Sequence, residues 1–217
     1  MNPQCFRLVT CWVALCLAIT GCQTPPPRDY TNFRHHHPRS ILVLPPLNES
    51  TAVEATYSYL STVTRPLAEL GYYVFPIAVV DRFLKENGLP TAGEMHQAPL
   101  AKVNEIIGAD AVLYITLAQY GTKYQLINSV TTVQARAKLV DTKTGLTLWE
   151  GEGIAQEASG VSGNPIVDLV AAAVTQVANA TTDRAHVVSG MANANLFTIK
   201  NRGLLYGPRH PQFGADK

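Results

Sequence analysis

The chain lacks cysteine beyond its first 22 residues. All four cysteines lie in that segment, at positions 5, 11, 16 and 22. A disulfide framework and thiol catalysis are therefore excluded from the rest of the chain. Charge is also scarce, at 15% of the residues, and 17 basic side chains nearly balance 16 acidic ones. The composition therefore provides no strong field to recruit nucleic acid or an anionic surface.

The apolar run near the amino terminus is too short to span a bilayer as a permanent helix. It extends from Leu8 to Ile19, after the single basic side chain Arg7. A run of about a dozen apolar residues suits the hydrophobic region of a signal peptide. We therefore predict a lipoprotein signal peptide over residues 1–21, with cleavage between Gly21 and Cys22.

The sequence Ile19-Thr20-Gly21-Cys22 resembles the lipobox of bacterial lipoproteins. The small Gly21 gives a protease access to the peptide bond, and the Cys22 thiol is a nucleophile for lipidation by diacylglycerol. An ordinary secretory signal with a chance cysteine is the alternative. Gln23 stands where an Asp would resemble an inner-membrane retention signal. The sequence therefore favours a domain that is lipid-anchored to the outer membrane and faces the periplasm.

Residues 22–39 are predicted to form an acylated, extended and solvated tether. They contain three consecutive prolines and no apolar periodicity. The consecutive imidazoles of His35, His36 and His37 could bind a divalent ion. A tether would not hold ligand geometry, however, so a solvated linker is favoured and no metal site is predicted.

Residues 40–192 alternate between short apolar strands and amphipathic helices. Buried strands are predicted at residues 41–47, 72–75 and 112–117. The first is followed by a helix that begins at the capping-box spacing of Thr51 and Glu54. The second is followed by a helix after Pro76, a loop to Ala98 and a short helix that ends at Gly108.

The second half of this domain is predicted to contain a hairpin and a helix. Residues 133–139 alternate between apolar and polar side chains, and the turn Asp141–Gly145 leads into residues 146–150. Asn164-Pro165 then opens a helix. The element order β-α-β-α-α-β-β-β-α predicts an α/β sandwich, with helices packed on a single mixed sheet.

Residues 193–217 contain aromatic residues and glycines without helical or strand periodicity. They are predicted to form a carboxy-terminal arm that lies along the domain or along a partner. Packing on its own domain is the simpler interpretation.

The familiar catalytic patterns fail in this chain. Gly151-Glu152-Gly153 lacks the third glycine and the helix start that a dinucleotide needs. The segment 159–163 misses the spacing of a nucleophile elbow. We therefore predict no enzymatic activity, no cofactor and no metal. The alternative is an enzyme that acts on an envelope polymer, in which two carboxylates that no motif reveals serve as acid and base.

Four motifs carry a resemblance to a known family. They lie at residues 41–50, 108–114, 139–151 and 206–211, and the last reads Tyr-Gly-Pro-Arg-His-Pro. The mature chain resembles a bacterial lipoprotein family of unknown function that includes a neisserial surface lipoprotein antigen. More distantly, residues 40–180 are similar to the periplasmic domains of CsgG and LpoB and to the amino-terminal domain of TolB.

The resemblance implies an α/β sandwich that acts by binding proteins, with no catalytic residue to carry over. It implies a docking or accessory role in envelope transport or assembly, beside an envelope protein such as a CsgG-like lipoprotein, as a homodimer or a larger ring. The candidate contact residues lie in a proline loop, on a wet strand face and in the arm. They are Pro45, Pro46, Leu47, Asn48, Gln134, Arg136, Lys138, Tyr206, Pro208 and His210.

Three other functions remain open at this point. The protein could activate a cell-wall synthase, serve as a surface antigen or adhesin, or act on an envelope polymer.

Overall fold

Six strands pair into one mixed sheet in the computed structural model, which describes residues 28–124, 129–158 and 184–215. The strands are β1 (Ser40–Val43), β2 (Leu47–Asn48), β3 (Tyr73–Val74), β4 (Ala111–Tyr124), β5 (Ser129–Asp141) and β6 (Thr147–Ala158). The order across the sheet is β3-β1-β4-β5-β6, and β2 pairs with β4. The predicted mixed-sheet sandwich is therefore confirmed.

Six helices lie in the described part of the chain. They are α1 (Thr31–His36), α2 (Ala55–Glu69), α3 (Ile77–Glu86), α4 (Ala92–Met95), α5 (Leu100–Ile107) and α6 (Arg184–Phe197). The predicted order of elements holds through β6, with α1, β2 and α4 as additions. The helix predicted from Asn164 lies outside the described residues.

The sheet changes from parallel to antiparallel at β4. Strand β1 pairs in parallel with β3 and β4, because helical crossovers return the chain to the same end of the sheet. Strands β4, β5 and β6 then form an antiparallel meander. The turn at Asp141–Gly145 joins β5 to β6 as predicted, and the Asp141 carboxylate accepts a hydrogen bond from the Thr144 amide at 2.7 Å.

The described helices pack on both faces of the sheet, over different strands. On the first face, α2 and α6 pack against apolar side chains of β4 and β5 such as Leu113, Ile115 and Leu139, which are fully buried. On the second face, α3, α4 and α5 cover a smaller cluster that includes Leu42, Leu44 and Val112. Among residues 28–124, 129–158 and 184–215, the sandwich thus has three layers at β1 and two layers at β5 and β6.

A buried polar link fixes α2 against α6. The Tyr59 hydroxyl donates to Asn193 Oδ1 at 2.5 Å, and Asn193 Nδ2 donates to Thr62 Oγ1 at 2.7 Å. Both Tyr59 and Asn193 are fully buried, and burial raises the pKa of the Tyr59 hydroxyl. Because each side chain satisfies the other, the pair specifies how the two helices meet.

The predicted capping box at Thr51 and Glu54 is wrong. Helix α2 begins at Ala55, and no side chain caps its first turn. The preceding residues form a turn instead, in which Asn48 Oδ1 accepts from the Ser50 amide at 2.9 Å. Such a side-chain turn competes with helix formation. The same capping motif does occur at Thr91 and Glu94, where it starts α4 in a segment predicted to be a loop.

The prediction of a solvated tether is wrong for its second half. Residues 31–36 form α1, and Tyr30 and Phe33 are buried with exposed fractions of 8% and 3%. The Tyr30 hydroxyl donates to the carbonyl of Gly203 at 2.6 Å. Two aromatic side chains three positions apart lie on one helix face, and their burial binds this segment to the domain. Residues 22–27 lie outside the described residues.

The predicted boundary between domain and arm at residue 193 is also wrong. Helix α6 continues to Phe197, and its side chains Asn193, Leu196 and Phe197 are buried. The arm therefore starts at Thr198. None of the described helices is long and apolar enough to cross a membrane.

Candidate functional site

Within the part of the chain that the structure describes, the second face of the sheet carries no helix at β5 and β6. Its outward side chains alternate with buried ones along β5, so that Arg136 and Lys138 are exposed while Ala135, Ala137 and Leu139 are buried. No described helix crosses this part of the sheet, because α3, α4 and α5 pack only over β1 and β4. We call the outward side chains Gln134, Arg136, Lys138, Glu150 and Glu152 the open face.

The charges of the open face are paired across strands. Lys138 Nζ lies 3.7 Å from Glu150 Oε1, and Gln134 Nε2 donates to Glu152 Oε1 at 2.6 Å. Arg136 Nη2 lies 3.0 Å from Glu49 Oε2, in the loop that follows β2. Exposed pairs contribute little to stability, about 0 to 1 kcal/mol each. Their regular pattern is therefore better suited to orienting a polar partner than to holding the fold.

The proline loop lies beside the open face, but its prolines are not contact residues. Pro45 and Pro46 are buried, which contradicts their prediction as contact residues. The physical reason is that they interrupt the strand beside β4, and His96 Nε2 lies 2.9 Å from the Pro45 carbonyl oxygen, to which it donates. Burial lowers the pKa of His96, although this hydrogen bond opposes the shift.

The rest of that loop does approach the open face. Leu47 is half-buried and Asn48 is exposed, and both pair with β4 at Thr116 and Leu117. Thr116 in turn lies opposite Arg136 in the register of β4 and β5. Two of the three predicted contact sets therefore meet at one surface.

The third predicted set lies in the arm, which packs on its own domain. The Gly207 amide donates to the Leu70 carbonyl at 2.7 Å, and the Tyr206 ring stacks on His210 with centroids 3.9 Å apart. A Cβ at position 207 would collide with the backbone of Gly71. Pro208 is exposed, whereas Tyr206 and His210 are half-buried. The simpler interpretation of the arm is thus the one that the structure shows.

Side-chain hydrogen bonds hold the arm to the domain and to the segment before β1. Three side chains donate to arm carbonyls: Tyr30 to Gly203, Tyr72 to Leu205, and Trp149 Nε1 to Arg202 at 3.0 Å. We call residues 28–39 and 198–215 together the arm junction. It joins two segments that are more than 150 positions apart in the chain.

The arm junction contains two adjoining cavities that the sequence did not indicate. The larger, of about 940 Å³, is lined by three basic side chains, Arg28, Arg34 and Lys200, and by the carboxylate of Glu69. The smaller, of about 240 Å³, is lined mostly by apolar and aromatic side chains. Arg34, Leu205 and Tyr206 line both cavities. Only the spacing of Tyr30 and Phe33 could have suggested that the amino-terminal segment folds.

Titratable groups do not gather into a metal site within residues 28–124, 129–158 and 184–215. His36 Nδ1 lies 3.3 Å from Asp141 Oδ2. Burial pushes the pKa of Asp141 upward, but hydrogen bonds from Thr144 and Lys143 and the nearby His36 outweigh it and hold this pKa below its usual value. Gly21, Cys22 and the serine-glycine segment 159–163 lie outside the described residues.

Comparisons with known proteins find the GNA1162-like family of lipoproteins, whose model matches residues 28–209. A lipoprotein of Neisseria meningitidis serogroup B, NMB1124/NMB1162, is 47% identical over 201 residues, which is 91% of this chain and 94% of that protein. The crystal structure of lipoprotein GNA1162 from Neisseria meningitidis is 49% identical, with a TM-score of 0.54, and covers 65% of this chain and 99% of that one. The carboxy-terminal domain of LpoB from Salmonella enterica is only 18% identical, with a TM-score of 0.38 over 56% of this chain and 84% of that one.

Proposed function

Because the chain belongs to the GNA1162-like family of lipoproteins, we propose that it is a non-catalytic docking protein of the cell envelope. Its acylated amino terminus holds it at a membrane, and the open face binds a protein of an envelope transport or assembly system. The observation that carries this proposal is the open face itself, a regular array of charged and amide side chains that the described helices leave uncovered.

Lipidation of Cys22 and a short connection explain how the domain is held. Arg28 begins the described structure, six residues after Cys22, and six extended residues span at most about 20 Å. The domain therefore works close to the membrane surface. The absence of Asp after the cysteine favours the outer membrane, and the domain then faces the periplasm.

The open face suits recognition more than acid-base chemistry. Its carboxylates, Glu150 and Glu152, are exposed, and each contacts Lys138 or Gln134 on the neighbouring strand. A cross-strand pattern of opposite charges gives register and selectivity to an interface and excludes partners of the wrong charge pattern. Ile154, with 45% of its surface exposed, adds one apolar contact beyond this array.

Charge reversal on the open face tests the proposal. Arg136→Glu and Lys138→Glu are to be compared with Arg82→Glu, which reverses a more exposed cation on α3, outside the open face. Each variant is expressed with its native signal and carries a crosslinkable residue at position 134. The adduct is identified by mass spectrometry. We expect the open-face variants to lose the adduct and Arg82→Glu to keep the adduct yield of the wild type. The melting temperatures of all three variants should equal that of the wild type.

The identity of the adduct separates the remaining functions. A penicillin-binding protein in the adduct would favour the activator of cell-wall synthesis. Removal of the domain by protease added to intact cells would favour the surface antigen. Adduct yields equal to that of the wild type in all three variants would show that the charges of the open face do not determine binding. No protein adduct from position 134 in any chain would show that the open face is only a solvated sheet surface.

A further inference from the structure

We propose that the arm junction binds the phosphate headgroup of an anionic phospholipid from the membrane in which the chain is anchored. The larger cavity holds the phosphate among Arg28, Arg34 and Lys200, and the smaller cavity takes the start of an acyl chain. This inference rests on the proposed lipidation of Cys22, but it assigns to the arm junction a second, non-covalent contact with the bilayer.

The basic lining of the larger cavity is the first support. Three cations face a space of about 940 Å³, which is within the range of ligand sites. The carboxylate on the same wall, Glu69, already accepts from Arg65 Nε at 2.8 Å. Guanidinium and ammonium groups converging on one space bind phosphate through charge-assisted hydrogen bonds. The cavity therefore carries a local positive charge in a chain that is nearly neutral overall.

Arg28 supplies the second support. Its Nη1 is buried and has no hydrogen-bond partner among the described residues. The guanidinium lies over the ring of Trp149, 5.5 Å from the ring centroid, and this contact orients the group without satisfying its donors. A buried donor without an acceptor is costly. Nη1 is closed off from the cavity in this conformation, so a rotation of the guanidinium toward the cavity that Arg28 lines would give this donor a phosphate oxygen as its acceptor.

The contact between the two cavities supplies the third support. Arg34, Leu205 and Tyr206 line both spaces, so the two cavities lie side by side. The smaller cavity is walled by Phe33, Pro38 and Phe213 among others and is mainly apolar. A basic space beside an apolar one matches a phospholipid, in which a phosphate adjoins hydrocarbon. Free phosphate would use only the first cavity.

The position of the arm junction relative to the lipidated cysteine supplies the fourth support. Arg28 lies six residues from the acylated cysteine, so the cavity lies within about 20 Å of the lipid attachment point. Lys200 is exposed at the rim of the cavity. The headgroups of the anchoring leaflet are therefore the phosphates that this cavity meets at the highest concentration.

The test uses the full acylated protein in nanodiscs of phosphatidylethanolamine and phosphatidylglycerol in equal parts. A trace of phosphatidylglycerol with a photoreactive headgroup is included, and the labelled protein is measured after illumination. The variants are Arg28→Gln and Lys200→Gln, and Lys102→Gln on α5 is the matched control. Lys200 is exposed, so its replacement leaves the fold intact even where that of Arg28 does not.

We expect labelling to fall about tenfold in each cavity variant, which is the loss of one charge-assisted hydrogen bond, and to stay unchanged in Lys102→Gln. Soluble glycerol phosphate at the molar concentration of the lipid phosphate should suppress labelling only slightly, because it fills the larger cavity alone. If all variants were labelled as strongly as the wild type, the phosphate site would be overturned. The proposed lipid anchor would still be supported as long as the protein is acylated and binds the nanodisc. Full suppression by glycerol phosphate would overturn the lipid as source. A wild-type chain that is neither acylated nor bound to the nanodisc would overturn both proposals.

Discussion

The open face and the arm junction are both rich in polar side chains, yet they are built in opposite ways. On the open face, each charged or amide side chain meets its partner on the adjacent strand or, for Arg136, in the loop after β2, and the charged pairs are about half exposed to water. At the arm junction, distant segments are held together by buried aromatic residues and by side-chain donors to backbone carbonyls. The first arrangement leaves stability almost untouched and is free to vary for recognition. The second ties the amino-terminal segment to the core.

The largest expected difference between the two regions comes from removing an aromatic side chain. Phe33→Ala at the arm junction should lower the free energy of unfolding by about 3 to 4 kcal/mol, because Phe33 is 3% exposed and its removal leaves a cavity. Ile154→Ala beside the open face should lower it by less than about 1 kcal/mol. Urea denaturation of both variants measures this. Similar losses in the two variants would show that the regions do not differ.

A glycine pair sharpens the same comparison. Gly203→Ala should destabilise the protein by about 2 kcal/mol or more, because a Cβ there would collide with the carbonyl of Phe197. Gly190→Ala is the control. It lies inside α6 with open space around it and should stabilise the protein by about 0.5 to 1 kcal/mol. The midpoint temperature of thermal unfolding should fall in Gly203→Ala and rise in Gly190→Ala. An unchanged midpoint in Gly203→Ala would mean that the arm does not pack as described.

The stabilities of the two regions should depend differently on pH below neutrality. Asp141 carries this dependence for the arm junction, because it contacts His36 of α1. Its carboxyl has a lowered pKa in the folded protein, so its charged form contributes stability above about pH 4 that is lost as the pH falls through the native pKa. Asp141→Asn should cost about 1 kcal/mol at pH 7 and flatten the decline of stability below pH 4. Glu152→Gln is the open-face control and should leave the acid branch unchanged. An unaltered acid branch in Asp141→Asn would refute the role of this carboxylate.

The smallest effect is expected from the open-face ion pair. Arg136→Ala, Glu49→Ala and the double variant should give a coupling energy below about 0.5 kcal/mol, because both side chains are more than half exposed. A double-mutant cycle in chemical denaturation measures it. A coupling above about 1 kcal/mol would mean that the open face is part of the stabilising framework.

Local patterns explain which region could be predicted from the sequence. The alternation at Gln134, Arg136 and Lys138 has the two-residue period of a strand, and the structure confirms that strand and its hairpin. The burial of Pro45 and Pro46 was missed because a turn composition does not reveal that a second strand segment follows immediately at Leu47.

The arm junction had no comparable local signal. Its central hydrogen bond joins Tyr30 to Gly203, which are 173 positions apart. The segment around Tyr30 reads as a proline- and histidine-rich linker, and only its tertiary contacts make it a helix. The basic cavity arises from the same long-range contact, since Arg28 and Lys200 meet there. Neighbouring residues in the chain therefore could not predict it.

The most direct test of the two-region account is photo-crosslinking in living cells from positions 134 and 199, which leaves Lys138 and Lys200 in place. A photoreactive residue in place of Gln134 is predicted to capture a protein of the envelope, and one in place of Ile199, which lines the larger cavity, is predicted to capture phospholipid. The adducts are distinguished by their mass and by their sensitivity to phospholipase. Lipid captured at position 134, or protein captured at position 199 without lipid, would contradict the account.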